Sequence, residues 1–292
     1  MSKELARELI SAGVHFGHGI SRRNPKMDTY IYGRRGMIHI INVKETLKGL
    51  LIAKKLLAHV VSEGKDVVFV GTKRQAQKAV QTSAEKSGMH YVSERWLGGT
   101  LTNFRTIRSR LQRLEELESM ESSGQLESES KKQGARLKRE LRKVRTNLNG
   151  IRKMSRIPGA VVVVDARKEY IALREARKLG VVTVGIIDTD SDPDTVDVAI
   201  PANDDSIKAV EILMNELAQA VAEGKTMARP AESIEAGPMP RRRSRRRVLA
   251  SAAEGEEGAE EPAPAPTPAA ETIPASEENT SEQPAGTDIA SE

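Results

Sequence analysis

The sequence predicts a doubly wound α/β domain of about five mostly parallel strands, interrupted by an inserted helical hairpin and followed by a disordered tail. Three observations carry this. Runs such as Val67-Val68-Phe69-Val70, Ala160-Val161-Val162-Val163-Val164 and Val181-Val182-Thr183-Val184 alternate with amphipathic stretches, the pattern of parallel strands covered on both faces. Residues 103–154 replace that alternation with apolar residues at heptad spacing among charges. Beyond Gly224 apolar bulk vanishes, so the segment cannot bury enough surface to offset its ordering entropy. The plan is 1–102 and 155–224 for the α/β domain, 103–154 for the insertion and 225–292 for the tail.

In order, residues 3–12 have a helical pattern ending at Gly13. His15-Phe16-Gly17-His18-Gly19 then leads into Arg22-Arg23-Asn24-Pro25-Lys26-Met27, and the glycines and proline predict an irregular loop bearing cations. Tyr30-Ile31-Tyr32 and Met37-Ile38-His39-Ile40-Ile41 flank Gly33-Arg34-Arg35-Gly36, which reads as a hairpin with both arginines at its tip. Asn42 with Glu45 is a capping-box pattern opening a helix whose apolar face is Leu47, Leu50, Leu51, Leu57, Ala58 and Val61. A strand over 67–71, a helix from Thr72 with Gln75 at the capping-box position and a strand over 89–92 follow. After the insertion come strands at 160–165 and 181–188, a short strand at 198–200, and helices over roughly 168–179 and 206–222.

In the insertion, Phe104, Ile107, Leu111 and Leu114 face Leu137, Leu141, Val144, Leu148 and Ile151, a heptad seam on each of two helices. That predicts an α-helical coiled-coil hairpin turning at Ser122-Ser123-Gly124, each arm reaching roughly 30 Å at 1.5 Å per residue. Arg105, Arg108, Arg110 and Arg113 meet Arg142, Lys143, Arg145, Arg152 and Lys153 at the base, while glutamates crowd the tip. The alternative use of such a seam is a dimerisation arm.

Charge narrows the function. The net charge of +5 conceals an asymmetry: residues 250–292 hold eleven acids and no Lys or Arg, so residues 1–249 hold all 46 basic residues against 30 acids. A body this cationic points to a polyanion, and without an apolar anchoring helix that means nucleic acid before a membrane. Aromatics are only 3%, so the core must be aliphatic. The absence of cysteine excludes disulfides, thiolate zinc sites and cysteine nucleophiles, and fits a cytoplasmic protein. The arginine run at 241–247 beside the acidic 250–292 suggests a tail that masks its own cations.

Enzymatic patterns are few. Asp188-Thr189-Asp190-Ser191-Asp192-Pro193-Asp194 follows a strand, where α/β enzymes place their sites, and offers Asp188 and Asp190 to a metal-dependent phosphotransfer reaction. It lacks the glycine and glutamate of a calcium loop, having Pro193 and Ala199 there, and departs from an aspartyl-phosphatase motif at Asp192. Gly71-Thr72-Lys73 lacks the glycine-rich part of a phosphate loop, leaving a helix N-terminus with Lys73 and Arg74 beside it. His15 and His18 lack an evident third metal ligand. No catalytic residue, cofactor or metal is assigned.

The stretch Arg95-Trp96-Leu97-Gly98-Gly99-Thr100-Leu101-Thr102-Asn103-Phe104-Arg105 joins the two kinds of sequence. A ring, an open Gly-Gly backbone and the guanidinium groups of Arg95, Arg105 and Arg108 suit a surface touching nucleic acid, although the stretch taken alone reads first as a core tryptophan beside a loop.

Several blocks together resemble the bacterial family of small-subunit ribosomal protein two. They are Ala12-Gly13-Val14-His15-Phe16-Gly17-His18, Asn24-Pro25-Lys26-Met27, Tyr30-Ile31-Tyr32-Gly33, Phe69-Val70-Gly71-Thr72-Lys73, Arg95-Trp96-Leu97-Gly98-Gly99 through Asn103-Phe104, and Ile200-Pro201-Ala202-Asn203-Asp204-Asp205. The resemblance covers about 1–224. It implies a flavodoxin-like sheet with an inserted coiled coil, no catalysis, binding to small-subunit ribosomal RNA between head and body of the subunit, and recruitment of the large ribosomal protein one beside neighbouring small-subunit proteins. The chain departs from the family pattern at Arg23, where a tryptophan is usual, and at Asp190, where asparagine is usual. Arg22, Arg23, Lys26, Arg34, Arg35, Lys73, Arg74, Arg95, Arg105 and Arg108 are the expected phosphate contacts, with Trp96 and Asn103 shaping the joint.

Overall fold

The computed structural model describes residues 2–124 and 130–227; residues 125–129, just past the expected turn at Ser122-Ser123-Gly124, and the tail from 228 lie outside the described residues. Helix α1 (Ser2–Ser11) is followed by β1 (Phe16–Gly19), β2 (Ile31–Arg35) and β3 (Ile38–Ile41), an antiparallel sheet in the order β1-β3-β2. The expected loop at 15–19 is thus partly a strand. Arg34 and Arg35 pair in register with His39 and Ile38, so they lie within β2 and the turn falls at Gly36-Met37. As β2 is an edge strand, its charged side chains can extend into water without leaving the ladder.

Helix α2 (Val43–Ser62) is capped by Asn42, whose side chain accepts from the Lys44 N–H at 3.1 Å; Glu45 turns instead to Lys48 at 2.7 Å, so no reciprocal capping box forms. Next come β4 (Val67–Val70), α3 (Arg74–Ser87) and β5 (His90–Val92). The expected Thr72 cap is absent because both its N–H and its hydroxyl are drawn across to Glu169, and α3 starts two residues later. The insertion supplies α4 (Phe104–Ser122) and α5 (Lys131–Leu148), after which β6 (Ala160–Val164), α6 (Tyr170–Lys178), β7 (Val182–Ile187), β8 (Val198–Pro201) and α7 (Ile207–Met227) resume the alternation. Residues 225–227, expected in the tail, close α7.

The large sheet is parallel throughout, in the order β5-β4-β6-β7-β8, with its reversal of strand order between β4 and β6. Alternation along the strands divides the core. Val67, Phe69, Val162 and Val164 enter one apolar cluster with α2, α3 and α7, while Val68, Val70, Val161 and Val163 enter a second on the opposite face. Every residue of β4 and β6 is therefore buried, which is why both read as unbroken apolar runs.

The second face is closed by α6 and by the insertion itself. Ile107 and Leu111 of α4 join Leu148 and Ile151 in the second cluster beside Trp96, so the lower half of the heptad pattern packs on the sheet. Farther out, Leu114, Leu117 and Leu141 form a separate buried group between α4 and α5, flanked by Arg145 paired with Glu118 at 3.1 Å and Glu121 at 3.2 Å.

Candidate nucleic-acid interface

Parallel strands all deliver their carboxyl ends to one edge, and here four of them bring polar residues together. Thr72 and Lys73 follow β4, Asp165 follows β6, Asp188 and Asp190 follow β7, and Asp204 and Asp205 follow β8, while His18 reaches the same place from β1. Lys73 Nζ lies 2.8 Å from Asp204 and 2.6 Å from Asp205. Burial pulls its pKa down, but those two hydrogen bonds outweigh it and hold the ammonium above its ordinary range. Asp204 is 1% exposed; burial pushes its carboxyl up to about 7 despite Lys73, and its Oδ2 is buried without a partner.

His18 Nδ1 sits 2.7 Å from Asp188, and that hydrogen bond pushes the imidazole up to about 9, so it is charged at neutral pH. His18, Asp188 and Asp204 also present ligand-type atoms within 4.8 Å of one another. One imidazole and two carboxylates could hold a divalent cation, a grouping that pairing His15 with His18 along the sequence could not reveal. Asp188 is 1% exposed and tied to His18, and Asp190 is bound to Arg167 at 2.9 Å. Neither carboxylate is free as a nucleophile for the phosphotransfer alternative.

Beside this edge an open cleft of 1140 Å³ is walled by Arg22, Arg23, Lys73, Arg167 and Lys168 on the cationic side and Asp165, Asp190 and Asp205 on the acidic side. The expected phosphate contacts separate by whether their charge is already matched. Lys73 is enclosed by carboxylates, Lys26 is held by Asp192 at 2.8 Å and Asp194 at 2.7 Å, and Arg23 meets Asp28 at 3.2 Å. Lys73, expected as a phosphate contact at the α3 N-terminus, has its ammonium paired with Asp204 and Asp205. Arg22, Arg34, Arg35, Arg74, Arg95, Arg105 and Arg108 are exposed and form no ion pair or side-chain hydrogen bond among the described residues.

At the joint the surface reading of Trp96 is also corrected. The ring is 5% exposed and packs in the second core cluster with Met27, Leu101 and Leu148, because its apolar face is worth more out of water than on the surface. Its Nε1 donates to Glu175 at 3.2 Å. Glu175 further accepts from the N–H groups of Gly99 at 2.7 Å, Leu101 at 3.0 Å and Thr102 at 3.2 Å, and from the Thr102 hydroxyl at 3.2 Å. Burial raises this carboxyl, but the backbone donors outweigh burial and leave it below its ordinary range. Gly99, with φ +90°, lets the loop fold round the carboxylate. Asn103 precedes α4 without a side-chain cap to the backbone and accepts from the Thr106 hydroxyl at 2.8 Å. Sequence reasoning missed Glu175, whose only local signal is an acid on the apolar side of α6.

The sequence model of the family Ribosomal protein S2 matches residues 9–224. A relative described as small ribosomal subunit protein uS2, from Rhodopirellula baltica (strain DSM 10527 / NCIMB 13988 / SH1), is 53% identical over 240 residues, which cover 82% of this chain and 92% of the relative.

Proposed function

Since the chain belongs to the Ribosomal protein S2 family, as a structural, non-enzymatic component of the small ribosomal subunit, we propose that it binds small-subunit ribosomal RNA through the cations that its own fold leaves unmatched. The observation that carries this reading is the sorting of charge. Lys26, Lys73, Arg23 and Arg167 are consumed by carboxylates, whereas Arg34 and Arg35 on the edge strand and Arg95, Arg105 and Arg108 at the joint are exposed and have no ion-pair partner among the described residues. An unmatched guanidinium gives up only water to meet a phosphate, while a matched one must also give up its partner.

Docking of ribosomal protein one belongs to the same reading. A separate apolar groove of 240 Å³, lined by Ile10, His15, Tyr32, Ile40 and Val43, supports a protein contact, with Tyr32 81% exposed. The helices α4 and α5, with the seam of Leu114, Leu117 and Leu141, fit the coiled-coil hairpin of the expected architecture.

The test is the salt dependence of binding to protein-free small-subunit ribosomal RNA. Changing Arg34 and Arg35 together to Ala should flatten the slope of log K against log salt by roughly one to two units and leave cosedimentation with small subunits weakened. An unchanged slope would clear that strand of RNA contact, and failure of the unaltered chain to cosediment would overturn the proposal.

A further inference from the structure

A groove of 620 Å³ runs between the joint and the outer face of α6, lined by Thr102, Ile171, Arg174, Glu175, Arg177 and Lys178. Arg174 and Lys178 are four residues apart and therefore neighbours on one helix face, where like charges repel. Both are exposed, and neither forms an ion pair or side-chain hydrogen bond among the described residues. Arg177 donates to the Asp194 carbonyl and lies close enough to Asp192 to lower that carboxyl's pKa.

The single acid in the lining forms no ion pair with these cations among the described residues. Glu175 turns inward, 8% exposed, and both its oxygens accept from the joint. A basic last turn complements the negative end of a helix dipole, which accounts for Arg177 and Lys178. It does not account for Arg174, nor for three cations converging on one groove with a hydroxyl at the rim. Other exposed cations of the domain do find acids, as Lys26 does in Asp192 and Arg167 in Asp190.

We propose that this groove seats a phosphodiester backbone, adding an RNA contact continuous with the joint, in which Arg174 and Lys178 meet phosphates and Glu175 is the positioning residue holding Thr102 at the rim. The proposal rests on the RNA-binding reading above and extends it to a face that no sequence motif marked. Glu175 couples the two surfaces, since the carboxylate that orients the α4 entry sits on the helix that carries the cations.

The experiment uses the full chain with two probes, a short mixed-sequence RNA duplex and protein-free small-subunit ribosomal RNA. Arg174→Gln with Lys178→Gln should lower the salt slope by about 1.4–1.8 units, two contacts at about 0.7–0.9 each, so the deficit against the unaltered chain shrinks roughly 7- to 12-fold between 50 and 200 mM salt. Arg174→Lys with Lys178→Arg keeps the charge and should keep the slope, which a purely structural effect would not distinguish by charge. If the Gln pair keeps the full slope while the Arg34 and Arg35 pair loses it, the groove proposal falls and the RNA-binding reading stands. If the unaltered chain shows no salt-dependent binding, both fall. If the Gln pair keeps the RNA slope but loosens an acidic neighbouring protein in reconstituted subunits, the occupant is protein and the proposal is overturned.

Discussion

Glu175 shows how one side chain can fix the geometry of a whole surface. Its carboxylate replaces water for three backbone N–H groups, the Trp96 indole and the Thr102 hydroxyl, and in doing so converts a Gly-Gly loop into a defined launching point for α4. Glu175→Ala strands those donors, and a buried unsatisfied group costs about 1–3 kcal/mol, so unfolding in urea should show at least that loss. The pH dependence has a definite sign. A carboxyl held below its ordinary value contributes stability above the ordinary carboxylate range and loses it as pH falls through the lowered value. Emission of Trp96, the chain's one tryptophan, should therefore shift in acid before global unfolding in the unaltered chain and not in Glu175→Gln. Coincident acid transitions in both would show that this carboxylate is not what orders the joint.

Among the elements, the insertion divides into two parts with different supports. Its base belongs to the domain core, through Ile107, Leu111, Leu148 and Ile151, whereas the arms hold each other through Leu114, Leu117 and Leu141. Leu141→Ala should cost about 2–5 kcal/mol if the arms melt with the domain. Amide exchange should place the loss in α4 and α5 and leave β4 and β6 protected; exchange spreading through the sheet would mean the arms and core are one unit. Gly150 sits where the base meets the sheet, and a Cβ there would lie 2.1 Å from the Tyr91 carbonyl oxygen. Backbone cannot give way as a flexible side chain can, so Gly150→Ala should lower the melting temperature and displace the arms even though alanine suits the local backbone. An unaltered melting temperature would show that the base can shift freely.

For the molecule as a whole, charge is distributed by purpose of contact. Carboxylates at the strand ends bind Lys73 and His18 internally, while Arg34 and Arg35 on the edge strand, Arg95, Arg105 and Arg108 at the joint and Arg174 on α6 form no ion pair among the described residues. The six arginines at 241–247 and the eleven acids beyond Leu249 add a second charge system in sequence alone. Tethered blocks of opposite sign meet at high local concentration, yet exposed pairs are weak and screened over about 8 Å near physiological salt. Truncation after Leu249 should raise affinity for a non-cognate RNA at low salt and lose that advantage as salt rises. Equal binding by both forms at every salt concentration would exclude masking.

The order of strands and helices, the aliphatic core and the cationic charge balance were all legible in the sequence, because burial on both faces of β4 and β6 demands unbroken apolar runs and a cationic body needs only counting. The heptad spacing also announced two helices. It could not announce that half the seam packs on the sheet, since an apolar residue's period fixes its helix face and not what that face meets. Capping patterns at Asn42 and Thr72 failed in part for the same reason: a side chain 97 residues away, Glu169, offered Thr72 a better acceptor than its own helix. The tertiary structure alone decided that Trp96 is core, that Lys73 is spent on Asp204 and Asp205, and that Glu175 governs the joint. Each depends on groups brought together from distant strands, and a cation's availability for phosphate is set by whichever carboxylate the fold places beside it.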